Sequence, residues 1–139
     1  MRIARITAQD LDLLLAVSPG LFDHPIRPDQ ARAFLDNPLN HLFLAFDGDL
    51  AVGMVSATVL LHPDKPPALF INEVGTRESH RRRGIATALM AAMLEHGRAI
   101  GCQGIWLGTE PDNTAALGLY RKLRASEEAF VGFAWDDAL

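Results

Sequence analysis

Cysteine is almost missing from this chain: Cys102 is the only one in 139 residues. An internal disulfide is therefore excluded, and a reducing compartment, the cytoplasm, suits the sequence. No spacing to a histidine or an aspartate makes Cys102 a nucleophile, so a buried thiol is expected. Basic charge is not in excess either. Thirteen Lys and Arg stand against 17 Asp and Glu, a net charge of -4, which argues against a general nucleic-acid binder. Long apolar runs are missing as well. The longest, residues 51–61, contains Ser56 and Thr58 and is too short to span a membrane. The first ten residues, MRIARITAQD, lack the apolar core of a signal peptide. His24, His41, His62, His80 and His96 show no metal-ligand spacing, so no metal is expected. Neither a repeat nor a linker interrupts the pattern. With 49% hydrophobic and 22% charged residues, residues 1–139 read as one globular domain able to bury a core.

Strand and helix signals follow one another in a definite order. Arg2–Ile6 reads as a strand, and Thr7 or Asp10 can cap a helix reaching Ala16 or Val17. Residues 21–26 form a loop containing Phe22, Asp23 and His24. Pro28 suits the first turn of a second helix, which Asn37-Pro38 ends near Asp36. Two β-rich runs, residues 42–46 and 50–61, flank Asp47-Gly48-Asp49, a hairpin signal. The loop His62 to Pro67 either connects strands or walls a cleft. Residues 69–76 give a further strand, with Gly75 marking a bulge or a close backbone approach. The helix expected over residues 84–100 puts Ile85, Leu89, Met93 and Ile100 on one face. A strand over residues 104–109, a helix capped by Asn113 with Ala116, Leu119, Tyr120 and Leu123 inward, and a closing strand over residues 130–135 complete the chain. Hairpin-paired strands followed by strands alternating with helices imply a mixed α/β sheet.

Between the strand at 69–76 and the helix at 84–100 lies His80-Arg81-Arg82-Arg83-Gly84-Ile85-Ala86-Thr87. Free N–H groups and the helix dipole at such a start favour an anion. Gly84 and Ala86 let a ligand approach the backbone, and the three arginines add charge-assisted donors. The plain alternative is a solvated basic turn.

Two patterns then resemble one family. Arg81, Gly84 and Ala86 occupy the fixed positions of Arg/Gln-x-x-Gly-x-Gly/Ala. Asn113, Ala116, Leu119, Tyr120, Lys122 and Leu123 match an Asn, then Ala, then Leu-Tyr-x-Lys-Leu. In this order, separated by a strand, they resemble the GNAT superfamily of acyl-CoA-dependent N-acetyltransferases. The resemblance implies a GNAT fold with a central mixed sheet flanked by helices, and acetyl-CoA as co-substrate. Its pyrophosphate would be wrapped by Arg81, Arg82, Arg83, Gly84, Ile85, Ala86 and Thr87, with Asn113 and Ala116 also at the coenzyme. HRRRGIATAL, ALGLYRKL and Glu127-Glu128 look more narrowly like aminoglycoside acetyltransferases acting on a 3-amino group, which carry an acid where this chain has Glu73. Arg124 replaces the glycine that usually follows Lys-Leu, which puts the exit from the last helix in question.

Amine acetylation requires removal of a proton, because an alkylammonium with a pKa of about 10.4 is no nucleophile. Glu73, a carboxylate inside an apolar strand, is the base candidate; a salt bridge to an arginine is the alternative. It alternates with Leu69 and Ile71, so a regular pleat puts all three on one face. Backbone N–H groups at Val74, Gly75 and Thr76 are candidates for the thioester carbonyl and pantetheine amides. Tyr120, the only tyrosine, is either the acid for the leaving thiolate or a core residue. Glu110 and Asp112 either hold a cationic acceptor or are solvated loop acids. The expected activity is direct transfer from acetyl-CoA to a small-molecule amine, with neither nucleic acid nor membrane as partner. Protein or peptide amines, or a non-catalytic acyl-CoA sensor, are the other readings. An uncovered sheet edge is compatible with a homodimer.

Overall fold

The computed structural model describes residues 1–139, which form two compact units, Met1–Gly108 and Thr109–Leu139. The first contains the whole sheet. β1 (Arg2–Ile6), β2 (Asn40–Asp47), β3 (Leu50–Leu60), β4 (Ala68–Thr76) and β5 (Gly104–Trp106) lie side by side in chain order. The first four pair antiparallel and β5 runs parallel to β4, which is the mixed α/β sheet expected. Gly48, at φ 60°, makes the tight turn between β2 and β3.

The apolar run at the start of β3 has its reason in two-sided burial, since residues 51–57 are all buried. Met54 faces a cluster with Ile6, Leu14, Leu21, Leu42 and Leu44, on the side of α1 (Leu11–Leu15) and α2 (Pro28–Asp36). Its neighbour Gly53 faces α3 (Ile85–Ala99). A Cβ on Gly53 would lie 2.6 Å from Ile85 Cγ2 and 2.8 Å from Leu89 Cδ1. The helix can therefore lie close to the sheet there, level with Thr76, the register partner of Gly53. At the other end of α3, a Cβ on Gly97 would lie 2.8 Å from Leu69 Cδ2 and 3.0 Å from Ile105 Cδ1. These contacts orient α3 so that its first turn sits at the end of the sheet where β4 stops.

Several expectations are corrected by this packing. α1 is one short helix after a 3-10 turn at Ala8–Asp10, where the Asp10 carboxylate accepts from Thr7 N–H at 2.9 Å and Thr7 Oγ1 at 3.1 Å. Ile100 is 42% exposed. Gly97 fills its place on the inner face because only a bare backbone fits against Leu69 and Ile105. β5 has three residues, not six, and pairs only with residues 68–70 of β4. Cys102, by contrast, is buried as expected, and its N–H donates to Gly97 O at 3.0 Å.

The second unit holds α4 (Thr114–Lys122), started as expected by Asn113, whose Oδ1 accepts from Ala116 N–H at 3.1 Å. Ala116, Leu117, Leu119, Tyr120 and Leu123 are its half-buried positions. The helix exit needs no glycine. Arg124 adopts φ 65°, its N–H donating to Arg121 O and that of Ala125 to Tyr120 O, the pairing of a Schellman ending. The strand expected over residues 130–135 is not formed. Phe130, Val131, Phe133 and Trp135 are exposed on irregular backbone; strand-forming residues make a strand only with a ladder partner, and none pairs there.

Candidate functional site

The turn joining β4 to α3 is braced before it reaches the arginines. His80 Nε2 lies 2.9 Å from Asp47 Oδ2, while Ser79 Oγ lies 2.7 Å from His80 Nδ1. The bond to His80 holds the Asp47 carboxyl below the usual carboxylate range. This contact ties the turn to the β2–β3 hairpin. Arg81 is extended, Arg82 takes φ 63°, and Gly84 takes φ 75° as the residue before α3. Gly84 has no side chain to cap the helix, and open space surrounds the position a Cβ would take. The N–H groups of Ile85, Ala86 and Thr87 therefore start the helix without an intrahelical acceptor; the first such bond is Ala88 N–H to Gly84 O, 3.0 Å. Ile85 packs inward, Ala86 and Thr87 are half-exposed, and Arg81, Arg82 and Arg83 are exposed. An uncapped 15-residue helix start with exposed guanidiniums is chemically suited to a phosphate ester.

β4 brings the next group of residues to the same end of the sheet. Ser56 pairs with Glu73 but Ala57 with Ile71, so Asn72 is an extra residue. The bulge expected at Gly75 thus lies three residues earlier. It also breaks the expected alternation: Leu69 and Ile71 are buried, whereas Asn72 and Glu73 are both exposed. Gly75 instead marks a close approach, since a Cβ there would lie 3.4 Å from Leu21 O. Because β5 ends its pairing at Phe70, residues 71–76, including Val74, Gly75 and Thr76, have no strand on that edge. Their outward N–H and C=O groups are free to meet a ligand.

No arginine lies within salt-bridge distance of Glu73. Loss of hydration first, and the Asp23 carboxylate next, push its pKa up, while His24 pulls it down. Asp23 and His24 were not singled out as functional in the sequence. The signal available was their place in the loop at 21–26, which carries an acid and an imidazole side by side.

The second unit carries the remaining candidates. The side-chain oxygen of Asn113 and the N–H of Ala116 bond each other as the helix cap, so this pair has a structural role already. Tyr120 is half-buried, and burial raises its pKa. The Glu110 and Asp112 carbonyls accept from Asn113 N–H at 3.0 Å and Thr114 N–H at 2.9 Å, while both residues remain exposed.

Comparison with known proteins bears on this arrangement. L-2,4-diaminobutyric acid acetyltransferase of Shouchella clausii is 31% identical over 85 residues, 61% of this chain and 47% of that protein. Aminoglycoside N(6')-acetyltransferase type 1 of Salmonella typhimurium is 28% identical over 95 residues, 66% of each chain. Its name carries the 6' position rather than the 3-amino position of the sequence likeness. The chain spans about half the length of the first of these relatives and just under two thirds of the second. In three dimensions it is similar to AAC(6')-Iy in complex with the bisubstrate analogue CoA-S-monomethyl-acetylneamine. The TM-score is 0.79 at 22% identity, covering 99% of this chain and 98% of the other, a likeness of fold. The family model described as Acetyltransferase (GNAT) family matches residues 10–124. That match runs from the first helix through the uncapped start of α3 to the last turn of α4, and by it the chain belongs to the GNAT acetyltransferase family.

Proposed function

We propose that residues 1–139 act as one domain that moves the acetyl group of acetyl-CoA directly to a primary amine of a small molecule. The observation that carries this reading is the uncapped start of α3 beside the unpaired half of β4. One supplies N–H groups and guanidiniums for a pyrophosphate, from Arg81, Arg82, Arg83, Gly84, Ile85, Ala86 and Thr87. The other supplies backbone amides at Val74, Gly75 and Thr76 for the pantetheine arm and the carbonyl oxygen of the thioester.

Glu73 takes a proton from the ammonium form of the acceptor. Its raised pKa makes it a better base than an ordinary surface carboxylate, and the second carboxylate at Asp23 favours a cationic acceptor. The freed nitrogen attacks the carbonyl carbon and the C–N bond forms. As the C–S bond breaks, the nitrogen gives up a second proton to solvent, and solvent later returns one to the Tyr120 phenolate. The thiolate of coenzyme A leaves with a proton from Tyr120. Glu110 and Asp112 are further anions for an acceptor carrying several amines. Relatives named for diaminobutyric acid and aminoglycosides support a small polyamine-like acceptor, including aminoglycosides. A cytoplasmic setting fits the single buried thiol, and a homodimer covering an open sheet edge belongs to the same reading.

The experiment is thiol release from acetyl-CoA against a panel of aminoglycosides, polyamines and diamino acids. Amine-dependent release is expected. Coenzyme binding without release for any amine would make the chain a non-catalytic sensor. In the active protein, Tyr120→Phe keeps the ring and removes the donor, so kcat is expected to fall ~10²–10⁴-fold with coenzyme affinity retained.

A further inference from the structure

Arg77, the residue after β4, joins two separate pieces of backbone with one side chain. Its N–H continues the ladder to Val52 O at 2.8 Å. Nε donates to Ala51 O at 3.0 Å, Nη1 to Pro19 O at 2.7 Å, and Nη2 to Ser18 O at 3.1 Å and Ser18 Oγ at 3.3 Å. No carboxylate takes part. The five donors of a guanidinium lie in one rigid plane, and here that plane spans the gap between β3 and the connection that leaves α1. Gly20 follows at φ 105°, and a Cβ on it would lie 3.0 Å from Arg77 Nη1. The chain thus folds round the guanidinium at a residue that tolerates both the left-handed backbone and the close approach.

What this clasp holds leads straight to Glu73. One residue past Gly20, the carbonyl of Leu21 rests against Gly75 of β4, and its side chain is buried. Two and three residues further, Asp23 and His24 come near enough to act on the Glu73 carboxyl. The same connection encloses a small pocket of about 190 Å³ lined by Leu15, Val17, Phe22, His24 and Ile26 among others. Arg77 is also only four residues before Arg81, so the segment that leads into the anion-binding turn is the one that holds this loop.

We propose that Arg77 is a positioning residue for the acceptor: by holding Ser18 and Pro19 to the edge of β3, it fixes the loop at 18–26 over β4 so that Asp23 and His24 face Glu73. It touches neither substrate. The proposal rests on the acetyl-transfer reading above for the identity of the acceptor, and its loop-holding part is measured without any substrate.

Two variants test it from opposite sides of the clasp. Arg77→Lys keeps the charge and the stem but offers a single point donor that cannot span Ala51, Pro19 and Ser18. Gly20→Ala leaves Arg77 intact and crowds Nη1. Both are expected to speed hydrogen exchange of the amides at 21–24 and to raise the acceptor KM roughly tenfold, the worth of one or two charge-assisted hydrogen bonds. The acetyl-CoA Kd should stay within about twofold, and kcat should change less than the acceptor KM. A merely structural arginine would lower Tm without this split between acceptor and coenzyme. Unchanged exchange in both variants overturns the proposal, and so does faster exchange with an unchanged acceptor KM. Failure of the unmodified protein to acetylate any amine would count against the acetyl-transfer reading, and the exchange measurement would separate that failure from this one.

Discussion

One strand of this protein does two different jobs along its length. Residues 68–70 of β4 have β3 on one edge and β5 on the other, and Leu69 is fully buried against α3. Residues 71–76 keep β3 but lose β5, gain the extra residue Asn72, and present Glu73 to solvent. The first half is flanked by a strand on both edges, which closes it to ligands. The second half has an open edge, a displaced carboxylate and the start of α3 nearby. Structure and proposed chemistry are therefore separated within nine residues of one strand, and the separation is open to test by mutation on either side.

Glu73→Gln is expected to have the largest effect, on the open half. It keeps shape and removes the base, so kcat/KM at neutral pH should fall ~10²–10⁴-fold and recover as alkaline pH supplies free amine. Stability should move the other way. A carboxyl whose folded pKa is raised contributes stability that is complete below its unfolded pKa and is lost as pH rises through the folded one. At neutral pH its removal should thus leave Tm unchanged or slightly higher. A lowered Tm with an unaltered pH–rate profile would return Glu73 to a structural role.

Ala86→Glu tests the neighbouring turn. An acidic side chain among the free N–H groups at the start of α3 should weaken acetyl-CoA binding ~10²-fold, the loss of about two charge-assisted bonds. Calorimetry with an unchanged Kd and unchanged circular dichroism would remove the anion site.

On the closed half, Gly97→Ala separates helix propensity from packing. Propensity alone favours alanine by roughly 1 kcal/mol inside a helix, yet the added Cβ would meet Leu69 at 2.8 Å and Ile105 at 3.0 Å. Leu69 is fully buried and its side chain has little free space to yield into, so overpacking of about 1–3 kcal/mol should win and the variant should be less stable by urea denaturation. A stabilised variant would mean that the contact between α3 and β4 yields easily.

The smallest effect expected lies where α3 meets β2. His96 Nε2 is 3.0 Å from His41 Nδ1. Burial, then His96 and Arg5, lower the His41 pKa to about 4, and burial, then Arg5, lowers that of His96. Both are neutral at pH 7 in the folded chain. Their contribution is present above the ordinary histidine pKa and lost as pH falls through about 4, because the unfolded chain binds more protons there. The Tm should fall between pH 7 and pH 4, and His41→Asn should flatten that fall; an equally steep fall would place the acid sensitivity elsewhere.

Local chemistry made much of this protein legible before its fold was known. Strand β1, the Pro28 helix, the hairpin at Asp47-Gly48-Asp49, the Asn113 cap and the glycine-led start of α3 all rest on contacts within a few residues, which sequence spacing records directly. Other features depend on what lies across the sheet. Asn72 became a bulge because β4 and β3 shift register there, and no pattern in Leu69, Ile71 and Glu73 contains that shift. Gly97 replaced Ile100 on the inner face because Leu69 and Ile105 leave no room for a Cβ. The 130–135 segment has strand residues but no ladder, and Arg77 gained its importance from carbonyls 58 and 59 residues away. Sequence determined the elements and the residue types that can do the chemistry. Tertiary structure alone decided which edge of β4 stays open and which loop faces it, because register and close approach are properties of pairs of segments and belong to neither one alone.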